Sequence, residues 1–212
     1  MLELYSVPVS LYCAKTRILL RFKGLEWTEL PPPGGYGASE YKTIVPSGNL
    51  PALRDGDLVV ADSEAIAEYI EDRYPDPPAL PGTVEARAKC RERSRFHDTR
   101  WEPALRTLFP YIPSRAPAPD GFIDQASERL STLLGQFAAM LRETPDAGST
   151  LTLAECGYPV TFAWIDGMTP VMGLSLDWPA PVLEYRARVM ALPAVAAEMD
   201  TYQTQIPAFL KP

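Results

Sequence analysis

In the stretch VPVSLYCAKTRILL, residues 7–20, Ser10 stands three places before Cys13, where a dithiol redox motif would carry its other cysteine. Apolar residues at helical spacing begin near Leu11, after a short strand-like run and a proline-containing turn. Ser10 therefore falls at a predicted helix N-terminus, where unpaired N–H groups and the positive end of the dipole favour an anion. A hydroxyl there can cap the helix or hold a ligand's thiolate. Cys13 alone cannot run a dithiol cycle. It could form a mixed disulfide if its pKa is depressed in the first helical turn, or pack as a half-buried core thiol.

Two further stretches pair a turn with chemistry. Asp62 and Ser63 open ADSEAIAEYI, where Ser63 is expected to cap a helix, the alternative being a plain capped turn. Asn49 lies in SGNLPAL and suits either a turn or a ligand contact. The single histidine, His97, and three scattered cysteines, Cys13, Cys90 and Cys156, speak against a metal centre or a disulfide framework. His97 reads as a packed or solvent-bonded side chain rather than a base.

Composition bounds the partners. With 27 acidic against 20 basic side chains and a net charge of −7 over 212 residues, nucleic acid is not the expected ligand. No leader pattern and no apolar run of about 18 residues is visible, so neither membrane insertion nor secretion is expected and a cytoplasmic location is.

These residues must be positioned by elements that differ between the halves. LELYS reads as a strand, Leu11–Lys23 as an amphipathic helix, LEWTEL as a strand and Ala38–Ile44 as a short helical patch. LPALRDGDLVV suggests two strands joined at Asp55-Gly56, and Ser63–Tyr74 a helix with Ala65, Ile66, Tyr69 and Ile70 on one face. The order βαβαββα demands one parallel crossover and one antiparallel hairpin in a single sheet. YPDPPALPG, residues 74–82, breaks the pattern. Beyond it only helical periodicity recurs, so the expected architecture is an α/β domain over 1–76, a linker over 77–84 and an all-α domain over 85–212. In LTLAECGYPVTFAWI, Thr152 and Glu155 have capping-box spacing, with Leu151 and Cys156 placed for a hydrophobic staple.

Together these segments resemble the glutathione transferase superfamily, which joins a thioredoxin-like domain to a helical one; the resemblance covers essentially the whole chain. SLYCAKTR is similar to the glutaredoxin CPYC site with serine for the first cysteine, as in serine-type members. SGNLPAL resembles the segment that ends in a cis-proline, here Pro51. ADSEAIAEYI resembles the acidic-Ser pair opening the third helix, and LTLAE the family's capping box, with Glu155 in place of the usual Asp. The zeta-type SSC run is absent, because Leu11 and Tyr12 follow Ser10, and the class stays open among tau-, zeta- and omega-like arrangements.

The resemblance implies glutathione as co-substrate, a homodimer, and a thiolate held by Ser10, with Tyr5 as a rival hydroxyl at the end of the first strand. It implies that Leu50 bonds the cysteinyl part through its backbone, that Ser63 receives the γ-glutamyl carboxylate, and that Asp62 meets the ammonium and Asn49 the glycyl end. Tyr12, Trp101, Leu105, Leu108, Phe109 and Tyr111 become candidate electrophile contacts. Trp101 to Tyr111 belong to the basic run from Arg87, which reads otherwise as a solvated face. Trp164, Met168, Met172 and Trp178 read as core or rim. The expected activity is attack of bound glutathione on a small hydrophobic electrophile. The alternatives are a non-catalytic binding or scaffold protein, or a Cys13-dependent thiol reductase.

A thiol of pKa about 8.5 is only about 3% ionised at pH 7. Lowering the pKa to about 6.5 raises this roughly 25-fold, of which lower nucleophilicity takes back roughly 8-fold. Most acceleration must then come from placing the electrophile beside the sulfur.

Overall fold

In the computed structural model, which describes residues 1–113 and 115–211, the alternation of the first half resolves into β1 (Leu2–Tyr5), α1 (Leu11–Phe22), β2 (Trp27–Leu30), α2 (Ser39–Lys42), β3 (Ala52–Asp55), β4 (Leu58–Ala61) and α3 (Ser63–Arg73). This is the expected order. Among the described residues the strands form one sheet, ordered β2-β1-β3-β4, with β1 and β2 parallel and the other pairs antiparallel. The hairpin turns through Gly56, whose φ of 59° suits a residue without a Cβ. Helix α1 ends one residue before the expected Lys23, because Gly24 takes φ 65°. Its N–H donates to Arg21 while that of Leu25 donates back to Leu20, a Schellman termination.

The chain divides into two units, Met1–Leu80 and the part from Pro81 onward. In the first, α1 and α3 are joined by two buried ion pairs. Lys15 meets Glu64 at 2.7 Å and Lys23 meets Glu71 at 2.5 Å. Lys23 donates its other two protons to the carbonyls of Tyr74 and Pro77, both at 2.7 Å. Glu71 accepts in addition from the N–H groups of Ala79 and Leu80. An ammonium has three donors, so Lys23 is fully satisfied. The proline-rich segment is thereby tied to both helices.

The second unit contains α4 (Val84–Phe96), a π-helical turn at His97–Trp101, α5 (Glu102–Arg106), α6 (Phe122–Glu143), α7 (Tyr158–Met172), α8 (Ala180–Met190), α9 (Pro193–Tyr202) and α10 (Ile206–Leu210). The π turn has a local cause. Pro103 lacks the N–H that would reach the Thr99 carbonyl, and its ring crowds that group, so the helix opens there. Trp101, Phe137, Tyr158, Phe162 and Tyr185 pack ring on ring, with Phe137 and Tyr158 stacked at 4.2 Å.

The basic run is not wholly solvated. Arg93 is buried beside Glu155, 3.3 Å away. The Thr152–Glu155 capping box forms, but it caps a 3-10 turn at Leu153–Cys156, and α7 begins only at Tyr158. Gly157 between them has no room for a side chain, since a Cβ there would lie 2.5 Å from the His97 ring. Among the described residues no helix is long and apolar enough to cross a membrane.

Replacing Glu71 with Ala strands the Lys23 charge in the interior and is expected to lower unfolding stability by about 3–5 kcal/mol, read from urea denaturation. Gly157→Ala is expected to cost about 1–3 kcal/mol through overpacking against His97, visible as a lowered thermal midpoint.

Candidate active site

The sheet register brings the candidate segments of the first unit together. Tyr5 pairs with Leu30 on one side and with Ala52 on the other, and Ala52 pairs with Ala61. These four residues form one row at one end of the sheet. The segments just outside that row are Ser6–Ser10 after β1, Leu50-Pro51 before β3, and Asp62-Ser63 after β4. Three stretches far apart in sequence therefore converge because the strands alternate in direction.

Ser10 is the N-cap of α1, with extended backbone (φ −70°, ψ 125°), and its Oγ accepts the Cys13 N–H at 3.3 Å. A hydroxyl that accepts from the backbone keeps its own proton for donation. The first turn of α1 contains no acidic side chain, so the positive helix end is uncompensated there. Ser10 is half-buried, which suits a group that must serve both helix and ligand.

Cys13 is 0% exposed. Burial pushes its thiol pKa up, although a hydrogen bond with Ser10, the Val7 backbone and the Arg17 charge pull the other way. Burial and a raised pKa both oppose a reactive thiolate. Tyr5 is buried as well, and its hydroxyl accepts from Arg54 Nη2. The Arg54 guanidinium lies 5.1 Å from the centroid of the Tyr5 ring and pairs with Glu3 at 3.1 Å.

The Leu50–Pro51 peptide is cis, and Pro51 is buried just before β3, which leaves Leu50 outside the strand ladder. The preceding turn is fixed by tyrosines. Tyr41 Oη donates to the Asn49 carbonyl at 3.0 Å, and Tyr36 Oη to Asn49 Oδ1 at 3.3 Å. Asn49 is exposed and also makes the turn itself, its N–H reaching Ser47 Oγ.

At the third helix the expected cap is corrected. Asp62, not Ser63, is the N-cap: its Oδ1 accepts from the N–H groups of Glu64 at 2.9 Å and Ala65 at 3.1 Å. Carboxylate geometry explains the exchange, since Asp62 precedes the helix and reaches two orphan donors at once. Asp62 also holds φ 84°, the one positive value at a non-glycine position among the described residues. Such a conformation costs of order 1–3 kcal/mol and persists only where its surroundings enforce it. Ser63 is thus freed from capping. It is 6% exposed. Glu64, the next residue, is the partner of Lys15 on α1.

In the second unit Trp101, Leu105 and Leu108 are each 0% exposed and present no surface to a ligand. Their apolar types were compatible with either a core or a pocket, and packing decides for the core. Phe109, against Trp164 at 4.8 Å, and Tyr111, against Phe122 at 4.7 Å, stay half-exposed. Tyr12 of α1 is also half-exposed. His97 is buried, bonded through Nδ1 to Asp98 at 2.8 Å and through Nε2 to Thr161 at 2.7 Å. Trp164 and Met168 are core, while Met172 and Trp178 lie at the rim. Among the described residues no group of three or more His, Cys, Asp or Glu could hold a metal.

A mixed four-stranded sheet with a serine-capped first helix and a cis-proline before its third strand defines a thioredoxin-like domain, and the comparisons agree. The family model described as glutathione S-transferase, N-terminal domain, matches residues 4–78. Glutathione S-transferase 3 of Zea mays is 30% identical over 186 residues, covering 81% of this chain and 82% of that protein. Glutathione S-transferase Z2 of Arabidopsis thaliana is 43% identical over 90 residues, 41% of this chain; the match spans 40% of that protein's length. Among solved structures, a glutathione S-transferase from Xylella fastidiosa superposes with a TM-score of 0.75 at 26% identity, over 95% of this chain and 98% of that one. The chain belongs to the glutathione S-transferase family.

Nothing local in the sequence singles out Lys15, Arg17, Glu29 or Glu64, the charged residues that hold the site's segments. The only signal was that Lys15 and Arg17 fall on the apolar side of α1. Alkylation of Cys13 by iodoacetamide near neutral pH is expected to run at least about 10-fold slower in the native protein than in the unfolded chain, measured by mass of the labelled peptide. Ready native labelling would contradict the raised pKa and burial.

Proposed function

We propose that this chain is a glutathione transferase of serine type, which attacks a small hydrophobic electrophile with the thiolate of bound glutathione. The carrying observation is the convergence, at one end of one sheet, of the Ser10 cap, the cis Leu50–Pro51 bond and the buried Ser63 that opens α3.

In this reading the Leu50 backbone bonds the cysteinyl unit. The γ-glutamyl carboxylate is received by Ser63 at the start of α3, where N–H donors and dipole favour a negative charge. Asp62 Oδ2, not used in capping, meets the ammonium, and Asn49 lies toward the glycyl end. The Ser10 proton is donated to the sulfur, which stabilises its anion. The thiolate then forms a C–S bond with the electrophile, and either a leaving group departs with its electron pair or a proton is taken up at the adduct. Ser10 lowers the thiol's pKa, while orientation supplies most of the rate. Tyr12 is proposed to contact the electrophile. A homodimer and a cytoplasmic location belong to the same reading.

Burial of Cys13 disfavours the thiol-reductase alternative. The test is titration with glutathione while thiolate absorbance in the ultraviolet is followed against pH. A bound thiol ionised near neutrality is expected in the wild type. Ser10→Ala is expected to remove that ionisation and lower turnover about 10- to 100-fold, the weight of a charge-assisted hydrogen bond of about 1.5–3 kcal/mol. Cys13→Ala is expected to retain activity. Glutathione that binds but stays protonated near neutrality would sink the enzymatic reading and leave a binding protein.

A further inference from the structure

The segment that carries Ser10 is held by charge at two points. Ser6 Oγ donates to Glu29 Oε2 on β2. The other oxygen of that carboxylate accepts from Trp27 Nε1 at 3.2 Å and lies 3.7 Å from Arg17 Nη1. Arg17, seven positions beyond Ser10 and so on the same side of α1, donates from Nη2 to the Pro8 carbonyl at 3.1 Å. Beyond the second anchor, the Ser10 N–H closes a turn back onto the Val7 carbonyl at 3.2 Å. Residues 6 and 8 are thus tied by one Glu–Arg unit, which leaves Ser10 little freedom.

Arg17 is only 7% exposed. A guanidinium so deeply sunk is costly unless its fork is used. Here part of the fork is spent on a loop carbonyl two residues before the capping serine, which helix formation alone does not require. The geometry matters because Ser10 Oγ must accept from the Cys13 N–H and still direct its proton outward. A misplacement of about 1 Å can cost on the order of 10²-fold in rate.

We propose that Arg17 and Glu29 form a clamp that positions Ser10 against the sulfur of bound glutathione; they are positioning residues, and the inference rests on the reading of Ser10 given above. A charge effect alone would act differently. Arg17 pulls the nearby Cys13 thiol toward ionisation and Glu29 pushes it away. Through the field alone, loss of Arg17 would raise the pKa of a sulfur at this helix end and loss of Glu29 would lower it. A clamp acts with one sign, because removing either member releases the same loop.

The experiment titrates glutathione on the wild type, Arg17→Met and Glu29→Ala, following thiolate absorbance against pH and turnover of a broad aromatic electrophile. Thermal melting confirms that each variant is folded. Both variants are expected to raise the apparent pKa of the bound thiol by about one unit and to lower turnover about 10-fold or more. A lowered pKa in Glu29→Ala beside a raised one in Arg17→Met overturns the clamp in favour of the field, and unchanged values in both overturn it in favour of a structural role. Should Arg17→Met fail to fold, Glu29→Ala decides alone, since the Glu29 side chain is 42% exposed. A wild type that holds no thiolate near neutrality removes the Ser10 reading and the clamp with it. That failure is distinct because it shows before any variant is made.

Discussion

The first unit depends on charges that have been taken out of water in pairs. Lys15–Glu64 and Lys23–Glu71 join the same two helices about two turns apart on each, with the lysine side chains 2% and 0% exposed. Removing a single partner from such a pair costs far more than the pair contributes, because the remaining charge stays desolvated. The pairs therefore act less as glue than as a constraint on register. Helices α1 and α3 can slide only by stranding an ammonium or a carboxylate. Strand direction brings their N-termini, which carry Ser10 and Ser63, to the same end of the sheet, and the ion pairs fix the register of the two helices against each other.

Two fates of sulfur follow from one helix terminus. Cys13 shares the N-terminal field of α1 and a hydrogen bond with Ser10, yet desolvation outweighs both and its pKa rises. A ligand thiol outside the helix would meet the same hydroxyl and dipole without losing its solvation to the same degree. The helix end thus disfavours its own cysteine as nucleophile and, in the function proposed above, receives a borrowed one. This is why a serine three places before a lone cysteine is chemically coherent, although it spoils a dithiol motif.

The second unit is organised by aromatic packing around buried polar groups. Arg93, Glu155 and the Thr152 cap meet beneath α4, and Tyr158 Oη donates to the Arg93 carbonyl at 2.8 Å. The π turn at His97–Trp101 lets His97 bond Thr161 while Trp101 enters the ring cluster. Among the described residues three buried polar atoms there, Arg93 Nε, Trp101 Nε1 and Tyr185 Oη, have no hydrogen-bond partner, which carries a desolvation cost.

What the sequence by itself determined was local. The order of strands and helices, the start of α1 at Ser10, the hairpin at Gly56 and the Thr152–Glu155 box depend on residues within a few positions of one another, where propensity, capping and turn chemistry act. What only the tertiary structure decided was pairing and burial. Lys15 and Glu64 are 49 residues apart, Ser6 and Glu29 are 23 apart, and nothing in either neighbourhood names the other. The cap at α3 went to Asp62 because its carboxylate reaches two N–H groups, and the assignment of Trp101 to the interior turned on ring neighbours from α6 and α7, with Leu105 and Leu108 buried as well. An apolar side chain reads alike in a sequence whether it lines a pocket or fills a core, because the difference lies in which other elements close over it.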